Sequence, residues 1–87
     1  MRRVQICWDD ETAEHLARHG VAPEEAEEIC GLRPYILRTR QGRYLVLGYT
    51  GAGRYLTVIL ESLGGGRMKI ITARAMTPPE RRRYLER

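Results

Sequence analysis

The stretch that decides the fold of this chain is RMKIITARA, residues 67–75, together with TPPERRRY, residues 77–84. The first segment is rich in apolar and β-branched residues and predicts a strand. In the second, Thr77 is followed three residues later by Glu80, with two prolines between them, which is typical of a capping box at the start of a helix. The chain is therefore expected to end with a strand and a short helix that reaches about Glu86.

Three further segments before this strand alternate between apolar and polar residues and predict strands. They are residues 35–40, 43–50 and 54–63, and the turns after them are residues 41–42, 51–53 and 64–66. All three turns contain glycine, which supplies the positive φ of tight turns. Because connections this short force neighbouring strands to run antiparallel, the sheet is expected to be a meander.

The first third of the chain predicts one short strand and two helices. Residues 4–8 alternate weakly and predict a strand that adds to one edge of the sheet. Asp9, or its neighbour Asp10, can cap a helix that Gly20 ends. A second helix is predicted over residues 23–31, between a proline and a glycine.

Length and composition limit the class of protein. The 87 residues make one domain, residues 1–87, with the order βααββββα. The expected fold is α+β, with an antiparallel sheet of about five strands, two N-terminal helices and one C-terminal helix. No apolar run approaches the roughly 18 residues of a membrane span, and no signal-peptide pattern is present, so a cytoplasmic protein without membrane contact is expected. Cys7 and Cys30 lie in apolar contexts and are expected to be small core residues rather than a disulfide.

Charge is distributed unevenly along the chain. Residues 1–37 carry eight acids against four arginines, a net of −4, whereas residues 38–87 carry eleven bases against three acids, a net of +8. Ten of these eleven bases are arginine, whose planar guanidinium suits phosphate. The asymmetry favours a polyanion as the partner of the C-terminal half. An ordinary solvated surface of an arginine-rich protein is the alternative.

Arg74 stands at the end of the predicted last strand, where a side chain can leave the core and reach a groove. Strict alternation along that strand predicts one shared face for Met68, Ile70, Thr72 and Arg74. An arginine at this point can hold a phosphate with two hydrogen bonds and stabilise the charge on a pentacoordinate phosphorus. A structural salt bridge to Glu80 or Glu61 is the alternative.

His19 is the main candidate for proton transfer, because only histidine changes charge near neutral pH without help. It can take the proton of a ribose 2′-hydroxyl or protonate a leaving oxygen. A cation in the last turn of a helix also stabilises the helix dipole, which needs no catalytic role. His15 and His19 form half a zinc site, but no third ligand stands at a suitable spacing, so neither a metal nor a cofactor is predicted. Tyr84 and Glu80 are the next candidates for the proton chemistry.

Further side chains are candidates for holding a nucleic acid. Phosphate contacts dominate the affinity of proteins for nucleic acids, and four arginines on or beside the predicted strands can supply them. These arginines are Arg38, Arg40, Arg43 and Arg54, and as a set they are predicted to line the same groove as Arg74. The lone tryptophan, Trp8, either stacks on a base or caps a small core at the end of its strand.

Two motifs carry a resemblance to a known family. Near the N-terminus, Trp8-Asp9 is followed by Arg18-His19-Gly20, and near the C-terminus Ile70-Ile71-Thr72-Ala73-Arg74 is followed by Glu80-Arg81-Arg82-Arg83-Tyr84. In this order and spacing the chain resembles the BrnT family of toxins from type II toxin–antitoxin pairs, which is similar to the RelE-type ribonucleases. The resemblance covers residues 6–87. The matching arginine of the family ends an Ile-Ser-Ala-Arg-like motif, in which Thr72 keeps the hydroxyl.

The resemblance implies cleavage of RNA by 2′-hydroxyl transesterification without metal, with Arg74 stabilising the transition state and a histidine or tyrosine moving protons. It also implies a cognate ribbon-helix-helix antitoxin that covers the basic groove. The expected assembly is either a homodimer of the toxin or a toxin–antitoxin hetero-oligomer. The chain departs from the family at Glu11 and His15, where a lysine and an asparagine are usual. A non-catalytic basic module that binds RNA or a protein partner is therefore the alternative.

Overall fold

The computed structural model describes residues 4–87, which form five strands, three α-helices and one short 3₁₀ turn. In chain order these are β1 Gln5–Cys7, α1 Asp10–Arg18, α2 Pro23–Gly31, β2 Tyr35–Arg38, the 3₁₀ turn Arg40–Gly42, β3 Arg43–Tyr49, β4 Tyr55–Gly64, β5 Arg67–Ala75 and α3 Pro78–Leu85. The predicted order βααββββα and the α+β fold are confirmed. None of the helices within these residues is long and apolar enough to cross a membrane.

The strands form one sheet in the order β1-β5-β4-β3-β2. Strands β2 to β5 are antiparallel neighbours, as the short glycine-containing turns predict. Strand β1 adds at the edge beside β5, runs parallel to it, and pairs only with Arg67–Lys69. Beyond Lys69, β5 is therefore an edge strand within residues 4–87, and α1 packs against it there.

Local sequence sets the ends of the first two helices. The carboxylate of Asp9 accepts a hydrogen bond from the backbone N–H of Thr12 at 2.8 Å and begins α1. The same bond lowers the pKa of Asp9. Gly20, with φ of +72°, turns the chain after α1 in a conformation that glycine adopts without strain. At the start of α2, Glu25 accepts from the backbone N–H of Ala22 at 3.0 Å.

The core lies between the helices α1 and α2 and one face of the sheet. Its buried side chains are Leu16, Val21, Ala26, Ile29, Val46, Leu56, Val58, Leu60, Ile70 and Ala73. Helix α2 approaches β3 so closely that a Cβ built on Gly48 would lie 2.8 Å from Cγ2 of Ile29. Cys30 packs against this core, and burial raises the pKa of its thiol to about 11. Cys7 and Cys30 are both free cysteines, but Cys7, unlike Cys30, is not among the side chains that pack against this core, so the prediction of a core residue is wrong for Cys7.

A β-bulge at Ile71 changes which side chains of β5 face the core. The register between β4 and β5 shifts there, so that Ile71 is an extra residue in β5. Ile70 before the bulge and Ala73 after it are consequently both buried beneath the helices. Thr72 and Arg74 face the opposite side of the sheet. The prediction that Ile70 shares a face with Thr72 and Arg74 is wrong, because strict alternation assumes a regular strand.

The opposite side of the sheet, called the α3 side below, carries α3 across one end. Tyr84 of α3 is buried against the rings of Tyr49 and Tyr55, whose centroids lie 6.3 and 6.1 Å from its own. Farther along this side, Leu45 and Ile59 remain only partly buried. The α3 side therefore offers an open sheet surface beside the short helix.

Candidate functional site

Arg74 and Glu80 form an ion pair with two hydrogen bonds on the α3 side. Nη1 of Arg74 donates to Oε1 of Glu80 at 2.7 Å, and Nη2 donates to Oε2 at 2.9 Å. Of the two acids that the sequence offers as partners, Glu80 is the one that binds Arg74. Glu61 instead lies beside Arg43, with 4.0 Å between Nε of Arg43 and the carboxylate. The guanidinium of Arg74 is thus fixed in place before any ligand arrives.

The carboxylate of Glu80 serves the helix and the sheet together. Besides Arg74, it accepts from the hydroxyl of Thr57 at 2.9 Å and from the backbone N–H of Thr77 at 2.9 Å. These bonds, above all those from Arg74, lower the pKa of Glu80 to about 2. The predicted capping box is confirmed, since the hydroxyl of Thr77 accepts in turn from the N–H of Glu80 at 3.3 Å. A carboxylate held ionised in this way is a weak base, so Glu80 is suited to positioning Arg74 rather than to accepting a proton.

The ion pair leaves one edge of the Arg74 guanidinium free. The second Nη1–H faces the carbonyl oxygen of Ala75 at 3.3 Å. Among residues 4–87, the Nε–H and the second Nη2–H have no hydrogen-bond partner. They point in the same direction and form a fork that matches two phosphate oxygens. The side chain is 36% exposed, and its hydrogen bonds with Glu80 raise the pKa of Arg74, so the fork carries a permanent positive charge.

Two histidines, His15 within α1 and His19 at its C-terminal end, have different surroundings. Nε2 of His15 is 3.0 Å from the hydroxyl oxygen of Thr72, and this contact is partly buried. His19 is exposed and ends α1, where its backbone N–H donates to the carbonyl of Leu16 at 2.9 Å. The two rings meet edge to face, with 5.0 Å between their centroids. His15 is therefore the histidine that reaches the strand of Arg74.

The two remaining single-residue candidates are buried or partly buried. The side chain of Tyr84 is 1% exposed, and its hydroxyl is buried without a hydrogen-bond partner in residues 4–87. A hydroxyl in that position cannot donate a proton to a ligand on the open surface. Trp8 is partly buried and packs against the main core. Of its two predicted roles, this position fits the capping of the core rather than stacking on a base.

The four arginines predicted to line one groove are distributed over different parts of the surface. Nη1 of Arg54 donates to the carboxylate of Glu25 in α2 at 2.8 Å, which neutralises the charge of this arginine locally. Arg38 lies over the ring of Tyr44 on the helix side of the sheet, 5.7 Å from its centroid. Of the four, Arg43 alone shares the α3 side with Arg74, because its strand partner Glu61 also projects there.

The fourth arginine, Arg40, is exposed in the 3₁₀ turn at the far end of β3. The prediction of one groove lined by all four arginines is therefore wrong. Pairing between distant segments, rather than strand position, decides where an arginine points, and the Arg54–Glu25 contact joins residues 29 positions apart.

Three further residues lie on the α3 side of the sheet near Arg74 and were not predicted as site residues: Lys69, Thr57 and Thr72. Lys69 is in register with Glu61 on β4, which places it on the α3 side. Strict alternation separates Lys69 from Arg74, and only the bulge at Ile71 brings them to the same side. Thr57 is fully buried and contacts Glu80 across 23 positions of sequence, a contact for which the sequence carries no signal.

The fold and this surface define a small α+β domain that holds a fixed arginine on an open side of its sheet. The structure is similar to the crystal structure of the Brucella abortus ribonuclease toxin BrnT, with a TM-score of 0.70 at 19% identity, over 85% of this chain and 97% of that one. The family model described as the ribonuclease toxin BrnT of type II toxin–antitoxin systems matches residues 8–80, and the chain belongs to this family. This class of toxin implies an antitoxin partner. Among curated proteins, none matches this chain significantly.

Proposed function

We propose that the chain cleaves RNA without a metal ion, by attack of a ribose 2′-hydroxyl on the adjacent phosphate. The observation that carries this proposal is the guanidinium of Arg74, which Glu80 fixes and which keeps a free fork on an open side of the sheet. Membership of a ribonuclease toxin family supports RNA as the substrate class.

In this reaction the 2′-oxygen forms a bond to phosphorus while the bond from phosphorus to the 5′-oxygen breaks. The products are a 2′,3′-cyclic phosphate and a 5′-hydroxyl, so one proton leaves the 2′-oxygen and one joins the 5′-oxygen. Negative charge gathers on the non-bridging oxygens in the transition state. The fork of Arg74 would donate to these oxygens more strongly as their charge grows, which lowers the barrier.

The charges of the α3 side support binding of the RNA backbone beside Arg74. Arg43 and Lys69 project on this side and flank Glu61 in the strand register. Two bases against one acid give this row a net positive charge, which suits phosphates on either side of the cleaved bond. We further propose that the cognate antitoxin, a ribbon-helix-helix protein, covers this same surface and so blocks access to RNA.

One observation favours the alternative of a non-catalytic basic module. The ion pair between Arg74 and Glu80 is also what a purely structural arginine would form, because it ties α3 to β5. In that case the α3 side would bind RNA or the antitoxin, and no bond would be cleaved.

Cleavage by the purified chain in EDTA separates the two functions. A short single-stranded RNA should yield fragments that end in 2′,3′-cyclic phosphate, identified by mass spectrometry, and its all-2′-deoxy counterpart should stay intact. Arg74→Ala should lose about 10²–10³ in rate, the usual loss for one transition-state donor. Arg82→Ala, an exposed arginine of α3, is the matched control and should keep its rate. Intact RNA with the wild-type chain, or cleavage only when Mg²⁺ is added, would contradict the proposal.

A further inference from the structure

We propose that His15 and Thr72 form the pair of side chains that accepts the proton of the 2′-hydroxyl. This inference rests on the proposed ribonuclease function and assigns its proton chemistry to residues of α1 and β5. His19, which the sequence favours for this role, is then a residue that ends the helix.

The first support is the contact itself. Nε2 of His15 lies 3.0 Å from Oγ1 of Thr72, at hydrogen-bond distance, although the two residues are 57 positions apart in sequence. Both side chains are partly buried. An imidazole in contact with a hydroxyl can take up the proton of that hydroxyl when the oxygen receives another proton from a ligand.

The second support is the position of the pair relative to Arg74. Thr72 and Arg74 are two residues apart on β5 and face the same side, opposite to Ala73 in the core. Successive residues on one side of a strand are roughly 6.6 Å apart, so one ribonucleotide linkage can contact both side chains. The phosphate would lie against the fork of Arg74 and the ribose against the hydroxyl of Thr72.

The third support is the path by which His15 reaches the α3 side. Strand β1 pairs with β5 only as far as Lys69, so no strand of the described chain covers the edge at Thr72. Helix α1 packs against this edge, and its histidine reaches past the edge to the hydroxyl. A longer first strand would occupy the place of the imidazole.

The proton transfer balances with these two groups and solvent. Oγ1 of Thr72 accepts the proton of the 2′-hydroxyl and passes its own proton to Nε2 of His15. The 2′-oxygen forms its bond to phosphorus, and the bond to the 5′-oxygen breaks. The 5′-oxygen takes a proton from a water molecule, and the proton on His15 returns to solvent.

The charged groups around His15 include both acids and bases. On its own helix these are Glu11, Glu14, Arg18 and the ring of His19, and from the strand the facing group is Lys69. Two of these groups are acids and two, Arg18 and Lys69, are bases, so charges of both signs lie close to the imidazole.

Single-turnover cleavage of RNA by four variants tests the pair. His15→Gln and Thr72→Val should each lose about 10²-fold or more in rate while the affinity for RNA changes only a few-fold. Thr72→Ser, which keeps the hydroxyl, should keep the rate within a few-fold. Ala17→Gln, at an exposed position of the same helix, is the matched control for a new glutamine on α1. The wild-type pH–rate profile should show an acid limb that His15→Gln removes.

NMR of the imidazole nitrogens supplies a readout that does not depend on cleavage. Addition of the all-2′-deoxy oligonucleotide should change the ring-nitrogen shifts of His15 more than those of His19. Unchanged His15 shifts, or a rate that survives His15→Gln, would overturn the pair and leave the ribonuclease function standing. A Thr72→Ser rate as low as that of Thr72→Val would do the same. A wild-type chain that cleaves no RNA would overturn the proposed function and the proton transfer together.

Discussion

Glu80 binds Arg74 through two hydrogen bonds, and the same carboxylate closes the first turn of α3. One side chain therefore fixes the orientation of the site arginine and the start of the last helix. A substitution at Glu80 is expected to affect stability and activity together, whereas a substitution at Arg74 leaves the capping box of Thr77 intact.

Stability should depend on pH through Glu80. Its pKa is about 2 in the folded chain against an ordinary value of 4.5, so the unfolded chain binds more protons between these values. The stabilisation is complete above about pH 4.5 and is lost as the pH falls through about 2, and it amounts to at most about 3 kcal/mol. Urea unfolding of the wild-type chain and of Glu80→Gln measures it. Glu80→Gln should be less stable at pH 7 and should lose this dependence, while Glu86→Gln, an exposed acid beyond α3, should match the wild type.

Expression of the chain alone should slow the growth of a bacterial host, and Arg74→Lys should relieve the effect. Lysine keeps the charge but lacks the planar fork that fits two phosphate oxygens and the carboxylate of Glu80. Growth after induction, with the soluble yield of each variant measured in parallel, checks this expectation. Arg82→Lys is the control and should remain toxic. Equal toxicity of Arg74→Lys and the wild type would show that positive charge alone is enough at this position.

The salt dependence of RNA binding should identify the bases that contact phosphate. Each contact with a single strand contributes about −0.7 to the slope of log K against log salt. Lys69→Gln and Arg43→Gln, both on the α3 side, should each make the slope shallower by about that amount. Arg54→Gln should leave the slope unchanged, because Glu25 already binds this arginine. An unchanged slope for Lys69→Gln would place the RNA elsewhere on the surface.

Gly48→Ala should destabilise the chain by about 1–3 kcal/mol, the usual cost of an extra methyl in a packed core. The new Cβ would lie 2.8 Å from Cγ2 of Ile29, a fully buried side chain between α2 and β3. Gly31→Ala is the control, because its Cβ would meet nothing within 4 Å, and it should be neutral or stabilising by up to about 1 kcal/mol. Denaturant unfolding of the two variants checks the difference.

The order of the elements was predictable from local patterns. Asp9, Gly20 and Thr77 act on backbone groups a few residues away, so their effect is visible in the sequence. The short turns likewise fix the antiparallel neighbours without knowledge of the packing. These features decide the fold class, and the structure confirms them.

The composition of the site was less predictable, because it depends on contacts between distant segments. Ile70 and Ile71 are equally apolar, and only pairing with β4 decides which of them is the extra residue. The contact of His15 with Thr72 spans 57 positions, so the sequence alone gave no reason to prefer it over His19. Arg74 was predictable as a site residue because it lies near the end of a strand that the sequence pattern predicts.

The extra residue at Ile71 also determines which kinds of genetic change this protein tolerates. A substitution at that position does not change the number of residues between Ile70 and Thr72. One side of β5 would therefore still face the core, and the other would still carry Thr72 and Arg74. Loss of its codon would restore a regular strand in which Ile70 still pairs with Leu60 and Thr72 with Ile59, so Thr72 and Arg74 would stay on the α3 side. For a lineage of such toxins, residue 71 can therefore vary in identity, or be lost, without exchanging the two sides of β5.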